Sequence, residues 1–178
     1  MKNEIVAHND LKIRIEEDFF NSVDSKKLLK KFISKLPWES MIIKMFGKDT
    51  KIPRLQCWIG DEGCEYRYSG KQLNRQIWSQ DLIMIRKKIY EELNIDFNSV
   101  LANYYRDGKD SMGWHSDDEK ELGPNPTIAS ISFGSERDLV FRNKISKETL
   151  AIPQTNGSLI LIDGETQKNW QHSIKKTQ

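Results

Sequence analysis

The chain has 178 residues, of which 37% are hydrophobic and 30% are charged, and its formal net charge is +2. This length suits one ordinary domain, and the hydrophobic fraction is too high for a disordered chain. The sequence contains neither an apolar run long enough to span a membrane nor an N-terminal secretory signal, and two cysteines, Cys57 and Cys64, are too few for a disulfide framework. We therefore expect an intracellular protein with no membrane partner, whose affinity for nucleic acid would depend on local basic patches.

Two amphipathic helices are predicted in the N-terminal half. The first begins at Asp24 or Ser25, which are good capping residues, and ends at Leu36 before a proline. The second extends from about Ser79 to Asn94, with apolar residues recurring at helical spacing.

The pattern of apolar residues then shortens to a period of two, which is typical of β-strands. The predicted strands span residues 100–105, 127–133, 138–142 and 158–163. Glycine-rich and proline-rich turns separate them, and no segment between them is long enough for a crossover helix. We therefore predict an α+β fold in which an antiparallel jelly roll or barrel carries helices on one side.

Three side chains in this half could hold a metal ion. His115 and Asp117 are two residues apart, so in an extended segment they point to the same side, and His172 follows a buried-looking strand. Two histidines and one carboxylate on one face of a metal leave three open positions, as in non-haem Fe(II) oxygenases. A His-x-Asp pair alone is a weak signal, because it is more often a hydrogen-bonded pair at the surface.

A series of further motifs, in order along the chain, strengthens the metal hypothesis. The segments are 53–56 (PRLQ), 60–61 (GD), 66–70 (YRYSG), 103–108 (NYYRDG), 113–119 (GWHSDDE), 128–134 (IASISFG), 137–142 (RDLVFR), 157–159 (GSL) and 170–173 (WQHS). This series resembles the AlkB family of nucleic-acid dealkylating dioxygenases, and most of all its animal-type members that repair alkylated double-stranded DNA. The resemblance extends from about residue 18 to the end of the chain.

The resemblance implies a single AlkB-like dioxygenase domain over residues 1–178, built as a double-stranded β-helix core with two helices in its N-terminal half and a nucleotide-recognition lid. The finger and lid would lie at about 40–75, and the core at about 97–178. The cofactors would be Fe(II), 2-oxoglutarate and dioxygen. The catalytic metal ligands that hold Fe(II) would be His115, Asp117 and His172. Asn103 and Tyr105 would hydrogen-bond 2-oxoglutarate. The implied reaction demethylates bases such as 1-methyladenine and 3-methylcytosine, releasing formaldehyde and succinate.

The resemblance also implies how DNA would be held, because a base inside a duplex must be flipped out to reach a buried metal. Lid residues would cover the flipped base, an acidic pair would face it, an apolar finger would fill the gap that the base leaves, and arginines would contact the strands. These are Tyr66, Tyr68 and Ser69 for the lid, Asp118 and Glu119 for the acidic pair, Met45, Phe46 and Gly47 for the finger, and Arg54, Arg137 and Arg142. Without the resemblance, the finger residues would be assigned to a strand core, and the acidic pair equally to a solvated run.

One departure from the family pattern concerns arginine. The family binds the far carboxylate of 2-oxoglutarate with an arginine on a strand beyond the distal histidine, but this sequence ends six residues after His172, and its last arginine is Arg142. Three explanations stay open: the sequence is truncated, the natural product is shortened and inactive, or another residue replaces the arginine. Truncation is favoured because the rest of the site is intact.

We therefore expect a monomeric dioxygenase acting on alkylated DNA, with duplex DNA favoured over single strands, in the nucleus if the host is eukaryotic. Two alternatives remain. One is a catalytically silent nucleic-acid-binding module of AlkB type, and the other is a dioxygenase that acts on RNA.

Overall fold

Short antiparallel strands dominate the C-terminal half, as the alternating pattern predicts. The computed structural model describes residues 3–8, 10–45, 47–68 and 71–178. The strands are β1 (Asn3–His8), β2 (Leu11–Glu16), β3 (Ile42–Met45), β4 (Lys48–Lys51), β5 (Leu55–Gly60), β6 (Arg67–Tyr68), β7 (Lys71–Gln72), β8 (Arg75–Gln76), β9 (Ser99–Tyr104), β10 (Met112–His115), β11 (Ile128–Ile131), β12 (Arg137–Asn143), β13 (Thr149–Gln154), β14 (Leu159–Ile162) and β15 (Trp170–Ile174). The helices are α1 (Ser22–Lys35), α2 (Gln80–Leu93) and the short α3 (Thr166–Asn169), with a 3₁₀ turn at Lys120–Leu122.

The chain forms two compact units. The first, which we call the discontinuous unit, combines Met1–Lys35 with Gly108–Gln178, and the second, the continuous unit, is Leu36–Asp107. Every sheet lies within one of these units.

The discontinuous unit contains two four-stranded antiparallel sheets, in the orders β1-β2-β14-β11 and β10-β15-β12-β13. The amide Nε2 of Gln154 on β13 donates to Oγ of Ser130 on β11 at 3.0 Å, which joins the two sheets. Apolar residues of the strands form the core of the unit, including Phe141 and Leu159, which are 0% exposed. This arrangement agrees with the predicted jelly-roll core.

Aromatic contacts pack α1 against the rest of the discontinuous unit. Phe133 lies 5.7 Å from Phe20 and 6.0 Å from Phe32, measured between ring centroids. The helix begins at Ser22, earlier than predicted, because the side chain of Asn21 accepts a hydrogen bond from the backbone N–H of Asp24 at 2.9 Å and caps the first turn.

The continuous unit is built around β5, which pairs antiparallel with β9 and parallel with β8. Helix α2 has the predicted ends: Oγ of Ser79 accepts from the N–H of Leu82 at 3.3 Å, and Asn94 closes the helix in the left-handed conformation with φ of 54°. The buried side of α2 carries Leu82, Ile85 and Ile89, as its apolar spacing predicts.

Several elements differ from the sequence-based expectation. The hairpin β1–β2 was not predicted, and β2 pairs with β14, so that residues near the two ends of the chain share one sheet. Strand β9 ends at Tyr104, which leaves Tyr105 just outside it. Both cysteines are free, and none of the helices in the described residues is long and apolar enough to cross a membrane.

Candidate metal centre

Strands β10 and β15 bring the predicted triad together. They pair antiparallel, and His115, the last residue of β10, lies directly opposite His172 in the register. Asp117 follows His115 by two residues, after the strand has ended. All three residues belong to the discontinuous unit, so the geometry of this site is fixed within one body.

The three side chains converge on one point. One ligand atom from each of His115, Asp117 and His172 lies within 4.8 Å of the others. The two carboxylate oxygens of Asp117 face different histidines, with Oδ1 at 3.6 Å from His115 Nε2 and Oδ2 at 3.4 Å from His172 Nε2. The two imidazole rings meet edge to face, with centroids 4.2 Å apart. No other group of three His, Cys, Asp or Glu side chains in the described part of the chain is close enough to hold a metal.

The hydrogen bonding of His115 fits a metal ligand. Its Nδ1 donates to the carbonyl oxygen of Gly113 at 2.9 Å, so Nε2 carries the free lone pair. That Nε2 atom is buried and has no hydrogen-bond partner within the described residues. A buried ring nitrogen without a partner is costly, and a divalent metal would satisfy it. Two imidazole nitrogens and one carboxylate oxygen are also the donor set that non-haem Fe(II) uses.

Burial has opposite effects on two of the metal ligands. It favours the neutral imidazole of His172, which a metal needs, and it disfavours the carboxylate form of Asp117, which a metal also needs. Burial, with a smaller effect from His115, holds the pKa of His172 well below its ordinary value, so its imidazole is neutral at pH 7. Burial raises the pKa of Asp117, an effect opposed by His115 and reinforced by Asp118. A bound cation would reverse this rise by stabilising the carboxylate.

Two polar side chains fix the segment that carries Asp117. Ser116 is buried, and its Oγ donates to the carbonyl oxygen of Trp170 at 2.9 Å. Gln167, on α3, accepts from the backbone N–H of Asp117 at 3.1 Å through its Oε1 atom. Neither residue was predicted from the sequence. Their only signal was position, because one stands between two candidate ligands and the other lies five residues before the third.

The turn of the N-terminal hairpin reaches the same region. Asp10 accepts a hydrogen bond from Nε1 of Trp170 at 2.7 Å and another from Nδ2 of Asn169. The bond from Trp170 is the main reason that the pKa of Asp10 lies below its ordinary value. Trp170 is 1% exposed and stands two residues before His172 on β15. No local sequence pattern could have linked residues 10 and 170.

The two predicted 2-oxoglutarate ligands lie in the continuous unit. Asn103 is on β9, opposite Gln56 on β5, and Tyr105 directly follows that strand, both of them half-buried. Oδ1 of Asn103 accepts a hydrogen bond from Nε of Arg54 at 2.9 Å. Arg54, which the sequence suggests as a contact of the DNA, is only 2% exposed in this environment.

The predicted lid and finger are described only in part. Tyr66 is 3% exposed and stacks on Trp58 with ring centroids 4.4 Å apart, so that face of its ring is not available to a base. Tyr68 lies on β6, whereas Ser69 falls outside the described residues.

Two residues of the predicted finger, Met45 and Gly47, are described. Met45 ends β3, and Gly47 follows with a φ of +77°, a conformation that favours glycine. Phe46 falls outside the described residues.

Of the predicted acidic pair, Asp118 is exposed, with its Oδ2 atom 3.9 Å from Nζ of Lys144, and Glu119 is half-buried before the 3₁₀ turn. Arg137 donates to the carbonyl oxygens of Asp110, at 3.2 Å, and of Lys175.

The guanidinium of Arg142 stacks 4.1 Å from the ring centroid of Trp114 and donates to Gln171 at 3.2 Å. Arg137 and Arg142 therefore both make contacts within the protein.

Comparisons with known proteins give relatives that match most of this chain. DNA oxidative demethylase ALKBH2 of Mus musculus is 39% identical over 140 residues, which cover 74% of this chain and 59% of that protein, and the Homo sapiens protein of the same name is 39% identical with 74% and 54% coverage. Alpha-ketoglutarate-dependent dioxygenase alkB homolog 3 of Mus musculus is 34% identical over 167 residues, covering 89% of this chain and 58% of that protein. The chain thus spans between half and three fifths of the length of these curated relatives.

The solved structure described as "The structure of OsALKBH1" has the same fold, with a TM-score of 0.65 over 93% of this chain and 86% of that one, at 13% identity. The predicted AlkB resemblance and jelly-roll fold are therefore confirmed. The model of the "2OG-Fe(II) oxygenase superfamily" matches residues 12–178. This family implies the predicted cofactors, which are Fe(II), 2-oxoglutarate and dioxygen. The chain belongs to the 2OG-Fe(II) oxygenase superfamily.

Proposed function

We propose that this chain carries the catalytic machinery of a dioxygenase that removes methyl groups from N-alkylated bases in DNA, of the 1-methyladenine and 3-methylcytosine type. The observation that carries the proposal is the convergence of His115, Asp117 and His172, with one buried ring nitrogen that has no hydrogen-bond partner among the residues that the structure describes. The relatives named as DNA oxidative demethylases supply the substrate class.

The overall reaction balances four electrons. Dioxygen accepts two electrons from 2-oxoglutarate, which becomes succinate and carbon dioxide, and two from the methyl group, which is hydroxylated and leaves as formaldehyde. The proton that remains on the product's hydroxyl moves to the base nitrogen or to solvent as the C–N bond breaks. A ferrous ion bound at the triad would activate dioxygen for this reaction.

The residues of this chain would divide the work as follows. His115, Asp117 and His172 would hold the metal on one face and leave the opposite face open for cosubstrate and dioxygen. Asn103 and Tyr105 would donate hydrogen bonds to 2-oxoglutarate.

The flipped base would be covered by the lid, and we expect Tyr68 to be the stacking ring, since Tyr66 already stacks on Trp58. Ser69 would complete the lid, and Asp118 and Glu119 would face a cationic methylated base. Met45, Phe46 and Gly47 would fill the gap in the duplex.

We further propose that both compact units belong to one AlkB-like domain that acts as a monomer, prefers duplex DNA and works in the nucleus if the host is eukaryotic. Arg137 and Arg142 already make contacts within the protein, so we expect their contribution to DNA affinity to be small.

The test is a single incubation read by mass. The protein is mixed with Fe(II), 2-oxoglutarate and an oligonucleotide that carries 1-methyladenine, in air, and the oligonucleotide mass is recorded with time. We expect the loss of one methyl group and an equal amount of formaldehyde. Formation of succinate without any change in the oligonucleotide would reject DNA as the substrate, and parallel duplex, single-stranded and RNA oligonucleotides identify the preferred polymer.

A further inference from the structure

Arg54 is a charged residue in an unusual place. It directly precedes β5, its side chain is 2% exposed, and its neighbour two residues along, Gln56, is 0% exposed. Arginine is rarely buried to this extent unless its guanidinium has a defined set of partners. The burial therefore points to a role inside the continuous unit and away from the surface.

The partner of Arg54 is the side chain of Asn103. Nε of Arg54 donates to Oδ1 of Asn103 at 2.9 Å, and the side-chain amide of Gln56 lies within hydrogen-bonding distance of both. Gln56 and Asn103 are directly opposite each other in the pairing of β5 with β9, so the backbone holds this cluster in register. All the polar atoms of the cluster lie within one compact unit.

This contact decides which end of the Asn103 amide is held within the cluster. An arginine Nε–H can only donate, so the Asn103 atom that it contacts must be the oxygen. The amide nitrogen Nδ2, with its two N–H donors, is then the end left for a ligand. An N–H donor suits a carboxylate, whereas an amide oxygen turned the other way would repel one.

We propose that Arg54 is a positioning residue for the cosubstrate: it fixes the Asn103 amide so that Nδ2 donates to a carboxylate of 2-oxoglutarate. This inference rests on the proposed function, in which Asn103 binds 2-oxoglutarate. It also replaces the DNA contact that the sequence suggested for Arg54.

The experiment measures two affinities in the absence of turnover. The chain is loaded with Ni(II), and the dissociation constants of 2-oxoglutarate, by calorimetry, and of a methylated duplex, by fluorescence anisotropy, are compared between wild type and Arg54→Met. We expect the 2-oxoglutarate constant to rise about tenfold, the size of effect expected when a charge-assisted hydrogen bond is lost. The duplex constant should stay within twofold.

A double-mutant cycle separates positioning from general damage. If Arg54 acts through Asn103, the double variant Arg54→Met/Asn103→Ala should bind 2-oxoglutarate no more weakly than Asn103→Ala alone. The matched control is Arg75→Met, because Arg75 donates to the backbone carbonyl of Gly60 in the same unit and does not contact Asn103. Arg54→Lys, which keeps the charge in the buried position, serves if the methionine variant does not fold, and we expect it to weaken 2-oxoglutarate binding less than methionine does.

Two results would overturn the inference. One is unchanged 2-oxoglutarate affinity in folded Arg54 variants. If those variants also lose duplex affinity, the result would support the interpretation that Arg54 contacts DNA. The other is a double variant whose loss equals the sum of the single losses. Failure of wild-type protein to bind 2-oxoglutarate would count against the proposed function itself, so the two failures are distinguishable.

Discussion

The two cysteines differ in environment at the level of single residues. Cys57 lies on β5 and is 3% exposed, and burial, with a smaller effect of Glu39, raises the pKa of its thiol to about 11. Cys64 is only half-buried. Since the thiolate is the reactive form, Cys57 should be inert in the folded protein.

We expect iodoacetamide at pH 8 to alkylate Cys64 and leave Cys57 unmodified. Peptide mapping after digestion measures the modification of each site, and labelling in guanidinium chloride, where both thiols should react, is the control. Rapid modification of Cys57 in folded protein would contradict the buried position of β5.

Asp117 is the residue whose loss should separate metal binding from folding. We expect Asp117→Ala to abolish Ni(II) binding and turnover and to keep the far-ultraviolet circular dichroism of the wild type, because it removes a ligand and no apolar contact. Calorimetry with Ni(II) gives the first quantity.

The matched control is Asp118→Ala, since Asp118 is adjacent, exposed and paired only loosely with Lys144 at 3.9 Å. It should bind Ni(II) as tightly as the wild type does. Equal metal affinity in Asp117→Ala and wild type would show that the triad is wrongly assigned.

Among the elements, β10 and β15 carry the two histidines of the site, and one buried hydroxyl links them. Ser116 connects the end of β10 to Trp170 at the start of β15. We expect Ser116→Ala to weaken Ni(II) binding about tenfold, the lower end of the effect seen when a residue that orients metal ligands is removed.

Ser116→Thr, which keeps the hydroxyl, should restore most of that affinity. Ser34→Ala, which removes a hydroxyl bonded within α1 in the same unit, should have no effect on the metal. If threonine and alanine at position 116 weaken binding equally, packing at this position matters more than the hydrogen bond.

The next prediction concerns duplex DNA and the predicted finger at residues 45–47. We expect Phe46→Ala to reduce demethylation of duplex DNA several-fold more than demethylation of single strands, because only a duplex has a gap to fill when a base is flipped out. Parallel rate measurements on the two substrates provide the comparison.

Ile42→Ala is the control for Phe46, since Ile42 is an apolar residue of β3 and is 51% exposed. It should affect both substrates alike. Equal losses on both substrates for Phe46→Ala would indicate that this residue packs within the protein.

At the scale of whole elements, sequence periodicity was sufficient for α2, whose capping residues Ser79 and Asn94 and apolar stripe are where the pattern places them. It also predicted strands at β9, β11, β12 and β14, because alternation and turn residues are local signals. It did not predict β10 and β15, the strands that carry His115 and His172. Periodicity failed for the β1–β2 hairpin, whose partner strand, β14, lies about 145 residues away and leaves no local trace.

At the scale of the whole molecule, the type of each site residue can be predicted from the sequence, whereas its environment cannot. The pattern identified the triad because His-x-Asp spacing and a later histidine are visible in one dimension. It could not reveal that Arg54 is buried against Asn103 or that Asp10 bonds Trp170, because both contacts join segments far apart in the chain. Burial and long-range hydrogen bonds are properties of packing.

The pairing of β2 with β14 affects the order in which parts of this protein can fold during synthesis. A ribosome releases residues 36–107, the continuous unit, well before it releases β14 and β15, so that unit can fold while synthesis continues. The sheet that contains β2 must wait for residues 159–162, and His172 emerges later still. During translation, the hairpin of β1 and β2 is therefore complete before its partner strand β14 is made, and the triad is complete only after His172 has emerged.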